Sequence, residues 1–433
     1  MSLRTRLMRD PAAVGVMGLG YVGLQEAVDL ARAGLVVTGF DIDHERVRSV
    51  QDGRSHVVDV TDEELQAVVS TGALRITADF SQLAAMDAIL ICVPTPLSKT
   101  KTPDLSYVMS AVESIRPRLR RGQLVVLEST TYPGTTSEVL LPSFESTGLK
   151  VGEDFHLCFS PERLNPGDRE HAQTKIPRIV GGVTPACADI AAGLYRRISP
   201  NVHVVQSAQA AEMVKLLENT FRAVNIGLVN EFALMCRAFG LDVWHIIEAA
   251  ATKPFGFLPF YPGPGLGGHC IPIDPLYLSW KARAAGFEPR FIDLAHHVNS
   301  GMPHVVVSIV MEALNERGCS LKGSRVLVLG VAYKRDVNDV RESPALDILA
   351  ELGRRGAHVT YHDPWIPALT VRDERLTSTP LDDDVLRRAD AVVIVTDHSA
   401  VDYKRVVELA PVVVDTRNAT RGVVSGRDKI VRL

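Results

Sequence analysis

Gly18-Leu-Gly20-Tyr-Val-Gly23 follows the apolar run Ala13–Met17 and opens a helical pattern through Gln25–Ala33. A second apolar run, Val36–Phe40, is followed by Asp41, 21 positions after Gly20. Strand, glycine turn, helix, strand and terminal acid together form a dinucleotide-binding fingerprint. The glycines let backbone approach a pyrophosphate, and the helix N-terminus offers N–H donors and a favourable dipole. Gly18, Gly20, Tyr21, Val22 and Gly23 are therefore candidate cofactor contacts. Asp41 would accept hydrogen bonds from the adenosine ribose and repel a 2′-phosphate, which favours NAD over NADP. Arg46, nearby in sequence, weakens that preference and joins the candidate cofactor residues.

The same alternation continues. Ala88–Val93, Leu124–Leu127, Leu157–Phe159 and Arg178–Val180 read as buried strands, with Asp104–Arg118 among the amphipathic stretches. Strand–helix–strand order implies a parallel sheet with right-handed crossovers. Val93-Pro94-Thr95-Pro96 and Glu128-Ser-Thr130-Thr-Tyr-Pro-Gly134 follow strand carboxyl ends, where ligands bind in open α/β sheets. Hydroxyls of Thr95, Ser129, Thr130 and Thr131 would face the cofactor.

The longest helical pattern runs from Ala208 to Phe239, with Gly240 as its stop. It would span about 45 Å. Its apolar positions Met213, Leu216, Leu217, Phe221, Val224, Leu228 and Phe232 suit a domain or subunit interface. A Pro/Gly-rich stretch, Lys253 to Gly268, follows and suits an ordered functional loop. From Ser320 the alternation restarts with Arg325–Gly330, Ala357–Tyr361, Ala391–Val395 and Val412–Asp415. The expected fold class is α/β, with two Rossmann-like doubly wound domains joined by a long central helix.

Composition narrows the function. The 433 residues carry 47 basic and 51 acidic side chains, a net charge of -4, which disfavours nucleic-acid or membrane-surface binding. The six cysteines are scattered without a CxxC pair, so neither a zinc site nor a redox dithiol is expected. The first residues lack the apolar core of a signal peptide and no membrane-length apolar run occurs, so a cytoplasmic setting is expected.

Gly267-Gly-His-Cys270-Ile-Pro-Ile-Asp274 carries the chemistry. Glycines before Cys270 would give a ligand close access, and Asp274 would hold a water or an ammonium. On the long helix, Glu212, Lys215, Asn219 and Arg222 recur at three or four positions and share one face. An ammonium beside a thiol favours the thiolate, and with an amide it can stabilise an oxyanion. Ala332-Tyr-Lys334-Arg-Asp-Val-Asn-Asp-Val-Arg341 follows the later domain's first strand, and Arg417 follows another. Such loops bind phosphates by charge. These residues leave open a two-electron hydroxyacid-type dehydrogenase and a nucleotide-binding regulator.

Together, GGHCIPIDP, the SPER at Ser160–Arg163 and AYKRDVNDVRESP resemble the UDP-glucose/GDP-mannose dehydrogenase family of nucleotide-sugar 6-dehydrogenases. VPTPLSKTKTPDLSYV and PFYPGPGLGGHCIPIDPLYL look most like its UDP-N-acetylglucosamine enzymes. The resemblance implies four-electron oxidation of a UDP-sugar by NAD through a cysteine thiohemiacetal and thioester. It assigns Cys270 as nucleophile, Lys215 and Asn219 to oxyanions, Asp274 and Thr130 to a water, and Glu162 to acid–base assistance. Glu162, Arg163, Lys215, Asn219, Lys253, Tyr261, Gly265, Gly267, Lys334 and Arg417 would contact substrate. Pro94, Thr95, Thr130 and Arg341 would contact the cofactor. Many UDP-glucose enzymes carry a second glutamate where this chain has Pro166, and an arginine near Thr252-Lys253-Pro254. Both departures point to a bulkier N-acetyl sugar. The implied domains are 1–205 for NAD, 206–315 for the central helices and cysteine loop, and 316–433 for the UDP-sugar. A homodimer through the central helix, or a higher oligomer, is expected, with no metal.

Overall fold

The computed structural model describes residues 3–9, 12–57, 59–98, 100–163 and 176–433; Pro166 lies outside them. The chain divides into two compact units, Met1–Glu218 with Leu276–Gly286, and Asn219–Pro275 with Phe287–Leu433.

The first unit is built on strands β1 (Ala13–Met17), β2 (Val36–Phe40), β3 (Leu74–Thr77), β4 (Ala88–Ile91), β5 (Gln123–Leu127), β6 (Phe155–Phe159), β7 (Arg178–Gly182) and β8 (Val202–Val205). Their order is β3-β2-β1-β4-β5-β6-β7-β8. Every neighbouring pair is parallel except β6 with β7. The central strands are buried on both faces, which is why they read as unbroken Val/Ile/Leu runs. One apolar layer gathers around Val14, Leu24, Leu90 and Leu194, and another around Phe40, Val112, Leu127 and Phe144. The strand order reverses between β1 and β4, so their carboxyl ends open the crevice that binds ligands in such sheets. β3 and β8 escape the apolar-run reading: Leu-Arg-Ile-Thr alternates, and β8 is an edge strand with exposed residues.

The first unit also holds a buried charge cluster. Arg178 pairs with Glu26 and stands 3.9 Å from Glu128. Glu128 accepts from the Tyr195 hydroxyl and from the Cys92 thiol. Burial, with repulsion from Glu26, pushes the Glu128 carboxyl up to about 8. A raised carboxyl pKa contributes stability that is full below the ordinary carboxyl range and is lost as pH rises through about 8. Replacing Arg178 by methionine strips both carboxylates of their cation. The expected loss is about 3–5 kcal/mol, with a larger deficit at pH 8 than at pH 5, read from urea midpoints.

The second unit holds β9 (Arg325–Leu329), β10 (His358–His362), the hairpin β11 (Ala368–Val371) and β12 (Glu374–Thr377), then β13 (Ala391–Ile394), β14 (Val413–Asp415) and β15 (Ile430–Arg432). A parallel sheet runs β10-β9-β13-β14-β15, with the hairpin separate. Two α/β sheets, each doubly wound in kind, match the expected fold class.

The long helix, Ala208–Ala238, contributes residues to both units and ends before Gly240, which takes φ +69°. Along it Met213, Leu217, Phe221, Leu228, Phe232 and Met235 are exposed. Leu216 is instead buried, so it belongs to the core rather than to an interface. A second long helix, Arg290–Glu316, contains Pro303. Proline cannot donate to the carbonyl four residues back. That carbonyl belongs to Asn299, and a Cβ on Gly265 (φ +131°) would stand 3.2 Å from it. The Pro/Gly-rich loop therefore passes at the helix's own hydrogen-bonding defect. Among the described residues no helix is long and apolar enough to cross a membrane.

Candidate active site

In the first unit the glycine turn has the shape a dinucleotide needs. Gly18 takes φ +88°, and a Cβ there would lie 2.7 Å from the Cys92 carbonyl oxygen. A Cβ on Gly23 would lie 1.8 Å from the Gly18 oxygen, so only glycine lets the helix Tyr21–Arg32 close on the turn. Gly20 faces open space and its helix has no side-chain cap. Its first-turn N–H groups thus suit a pyrophosphate. Val22 is half-buried beside them. Asp41 is buried and accepts from Leu19 N at 2.8 Å, Asp43 N at 2.9 Å and Arg46 at 3.0 Å. Asp41 therefore shapes the turn, and Arg46 offsets its charge. These residues fit NAD.

Pro94 and Thr95 follow β4, and Thr130 follows β5. Ser129 differs from its sequence reading. Its hydroxyl donates to Val93 O at 2.7 Å and Ile91 O at 3.1 Å, tying the two loops together. Glu212 also departs from the polar-stripe reading. It is fully buried and accepts from Gly134 N at 2.5 Å, Thr136 N at 2.8 Å and Thr136 Oγ1 at 2.6 Å. Burial pushes its carboxyl up to about 7 against these hydrogen bonds. It anchors the Ser129–Gly134 loop to the long helix. Arg222, on the same expected stripe, is exposed.

Lys215 is buried, and its ammonium donates to Glu162 O at 2.6 Å and Glu162 Oε2 at 3.1 Å. Arg163 pairs with Glu218 at 2.6 Å. The first unit thus unites Lys215 with Glu162 as one buried ion pair.

In the second unit Asn219 donates to Asp274 Oδ2 at 2.5 Å, with both side chains buried. Cys270 is half-buried, and its carbonyl accepts from Asp274 N and Ile273 N at the start of the helix Asp274–Ala284. Cys92, Cys158, Cys187 and Cys236 are buried, as small core residues should be. Gly267 and Gly268 make room for a neighbouring ring. Their Cβ atoms would fall 2.7 and 2.9 Å from Tyr333. Gly268 N donates to Arg341 O at 3.0 Å. The Arg341 guanidinium pairs with Asp339, which raises its pKa against burial, with smaller contributions from Tyr333 and then Cys270.

Arg417 donates to Val395 O at 3.1 Å, and burial lowers its guanidinium pKa. A Cβ on Gly263 would strike its Nη1 at 2.6 Å, so the glycine-rich loop lies directly on it. Gly263 N donates to Asn230, which donates to Asn299. Lys334 is half-buried on the loop after β9. Tyr261 stacks on Trp244, and Lys253 is exposed over the Phe255 ring at 5.0 Å. Asn230 and Glu212 were missed as anchors because hydrogen bonds to distant backbone leave no local sequence signal.

The UDP-glucose/GDP-mannose dehydrogenase family matches in three successive parts: its NAD binding domain over 12–199, its central domain over 209–301 and its UDP binding domain over 327–422. The chain belongs to this family. It is an NAD-dependent UDP-sugar dehydrogenase. This dehydrogenase is 37% identical over 388 residues to the UDP-N-acetyl-D-glucosamine 6-dehydrogenase of Pseudomonas aeruginosa, covering 89% of this chain and 90% of that one. It is 38% identical over 386 residues to the UDP-N-acetyl-D-mannosamine dehydrogenase of Pyrococcus horikoshii, covering 89% of each. The solved structure of a UDP-D-ManNAc dehydrogenase from that organism superposes with a TM-score of 0.88 at 34% identity, over 97% of this chain and 98% of that one.

Proposed function

We propose that this dehydrogenase oxidises the C6 alcohol of UDP-N-acetylglucosamine to the carboxylate, with Cys270 as covalent nucleophile. The carrying observation is the half-buried Cys270, on a loop anchored by Arg341 O and followed by the Asn219–Asp274 pair. Bound NAD supplies the hydride acceptor for both oxidations. Gly18, Gly20, Tyr21, Val22 and Gly23 would hold its pyrophosphate, Asp41 with Arg46 its adenosine ribose, and Pro94, Thr95, Thr130 and Arg341 the remainder.

The residues then divide the work. Lys215 and Asn219 steady oxygen charge at C6. The Cys270 sulfur adds to the aldehyde carbon, forming a thiohemiacetal that keeps the aldehyde from escaping. Oxidation of that adduct leaves a thioester. Asp274 and Thr130 hold the water that attacks it, and Glu162 moves a proton as the carbon–sulfur bond breaks. Lys334 and Arg417 hold the UDP, while Arg163, Lys253, Tyr261, Gly265 and Gly267 shape the sugar side. The Pseudomonas relative supports the N-acetylglucosamine choice, and the Pyrococcus relative supports N-acetylmannosamine as a second reading. End-point NADH with UDP-GlcNAc, UDP-ManNAc, UDP-glucose and UDP-galactose tests it; highest kcat/KM for any sugar but the first refutes the choice.

The proposal includes a cytoplasmic homodimer through the long helix. The exposed apolar stripe supports the dimer. Phe221→Glu with Leu228→Glu should convert the dimer to a 47.2 kDa monomer in light scattering. An unchanged mass would refute the helix as interface.

A further inference from the structure

We infer that His398 and Asp363 form a buried positioning pair that fixes the loop of residues 331–339, which carries Lys334, and so sets nucleotide affinity. The inference rests on the proposed role of Lys334 in holding UDP.

The sheet order of the second unit reverses between β9 and β13, so ligands meet the loops that leave those two strands. Residues 331–339 follow β9, and His398 follows β13. Asp363 follows β10, on the other side of β9. His398 and Asp363 are 0% and 2% exposed, and protein groups occupy both imidazole nitrogens and both carboxylate oxygens.

Their hydrogen bonds converge on the loop. Asp363 Oδ2 accepts from Val331 N at 2.7 Å, Ala332 N at 3.0 Å and His398 Nε2 at 2.9 Å. Its other oxygen accepts from Trp365 N at 2.8 Å and Ile366 N at 3.2 Å. Asp336 N donates to His398 Nδ1 at 3.0 Å. A backbone N–H can only donate, so Nδ1 is bare and the imidazole proton sits on Nε2. Asp336 takes φ +57°, a left-handed conformation that costs a non-glycine residue energy and persists only where its surroundings hold it. His398 holds its N–H, and Ser399 N donates to its carboxylate at 2.9 Å. Thr396 Oγ1 donates to Ala332 O at 2.6 Å. The loop is thus pinned at residues 331, 332 and 336, on both sides of Lys334. Burial alone would raise the Asp363 carboxyl; the His398 hydrogen bond and the two loop amides outweigh it and hold the group low.

Asp363, like Asp41, ends the second strand of its sheet and accepts an amide from the turn after the first. Asp41 meets the half-buried Arg46, whereas Asp363 is closed off by an imidazole. Five N–H donors already occupy the two Asp363 oxygens, so the second sheet would hold its nucleotide through the loop instead.

Two substitutions separate the imidazole's contacts. His398→Asn leaves an amide oxygen where Nδ1 was, keeping the Asp336 contact. His398→Gln leaves an amide N–H where Nε2 was, keeping Asp363 but stranding Asp336 N. Calorimetric titration with UDP should give a Kd about tenfold higher for the glutamine variant, the loss expected when one buried donor is stranded. The asparagine variant should stay within about threefold. KM for the UDP-sugar should rise in parallel, with kcat and KM for NAD unchanged. Thr396→Val, a milder change that frees only Ala332 O, should raise Kd about threefold and keeps the test open if a His398 variant fails to fold. Equal Kd values in all variants, or a joint fall of kcat and thermal midpoint with no selective change in UDP affinity, overturn the inference. Wild-type protein that binds no UDP overturns the reading of the site itself, and the inference with it.

Discussion

A Cys270→Ala enzyme makes carboxylate at no more than about 10⁻³ of the wild-type rate, since removing the nucleophile of a catalytic set disables the whole set. The aldehyde stage needs no sulfur, but the second oxidation does. Without the thiohemiacetal there is no adduct to oxidise at C6 and no thioester for water to attack. Single-turnover assays should therefore give some NADH but no carboxylate, and UDP affinity should be unchanged. Cys270→Ser tests the same point more gently. A serine hydroxyl is a weaker nucleophile, so turnover should stall after NAD reduction begins. Near wild-type uronate formation in either variant rules the covalent scheme out. The fold should survive both changes, because Cys270 is half-buried and its carbonyl still accepts from Ile273 N and Asp274 N at the start of the helix Asp274–Ala284.

Lys215→Ala should lower kcat/KM by about 10²–10³, the usual cost of losing one preorganised oxyanion donor. Two effects combine. The alcohol and thiohemiacetal oxygens lose their cation, and the buried Glu162 carboxylate loses its ion pair at 3.1 Å. The second effect also predicts lower stability, so thermal midpoints belong beside the kinetics. Lys215→Arg should rescue little, because the compact ammonium meets both a backbone oxygen at 2.6 Å and the carboxylate in a closed space. Glu162→Gln separates the effects by keeping a neutral partner for Lys215; it should slow thioester hydrolysis more than the first oxidation. A Lys215→Ala enzyme with unchanged kcat/KM contradicts its assigned role.

Much of the fold was legible because its strands are buried on both faces, and unbroken apolar runs such as Ala88–Ile91 and Gln123–Leu127 mark such strands. The same rule missed Leu74–Thr77 and Val202–Val205, which alternate or lie at the sheet edge. It also missed Arg290–Glu316, since Pro303 reads as a helix breaker unless a glycine loop covers the freed carbonyl. The glycine turn was legible to the residue, because its backbone conformation excludes side chains at Gly18 and Gly23. The supporting contacts were not. Glu212, Ser129, Asn230 and His398 bond to backbone far along the chain, and hydrogen bonds of that kind leave no periodicity. Gly267 and Gly268 carry a packing demand that the sequence did not show: a side chain at either would meet Tyr333.

The most direct measurement is the end-point yield of NADH with UDP-N-acetylglucosamine limiting and NAD in excess. Oxidation through Cys270 to the carboxylate predicts two NADH for each sugar consumed. One NADH per sugar, with an aldehyde or ketone as the accumulated product, contradicts it.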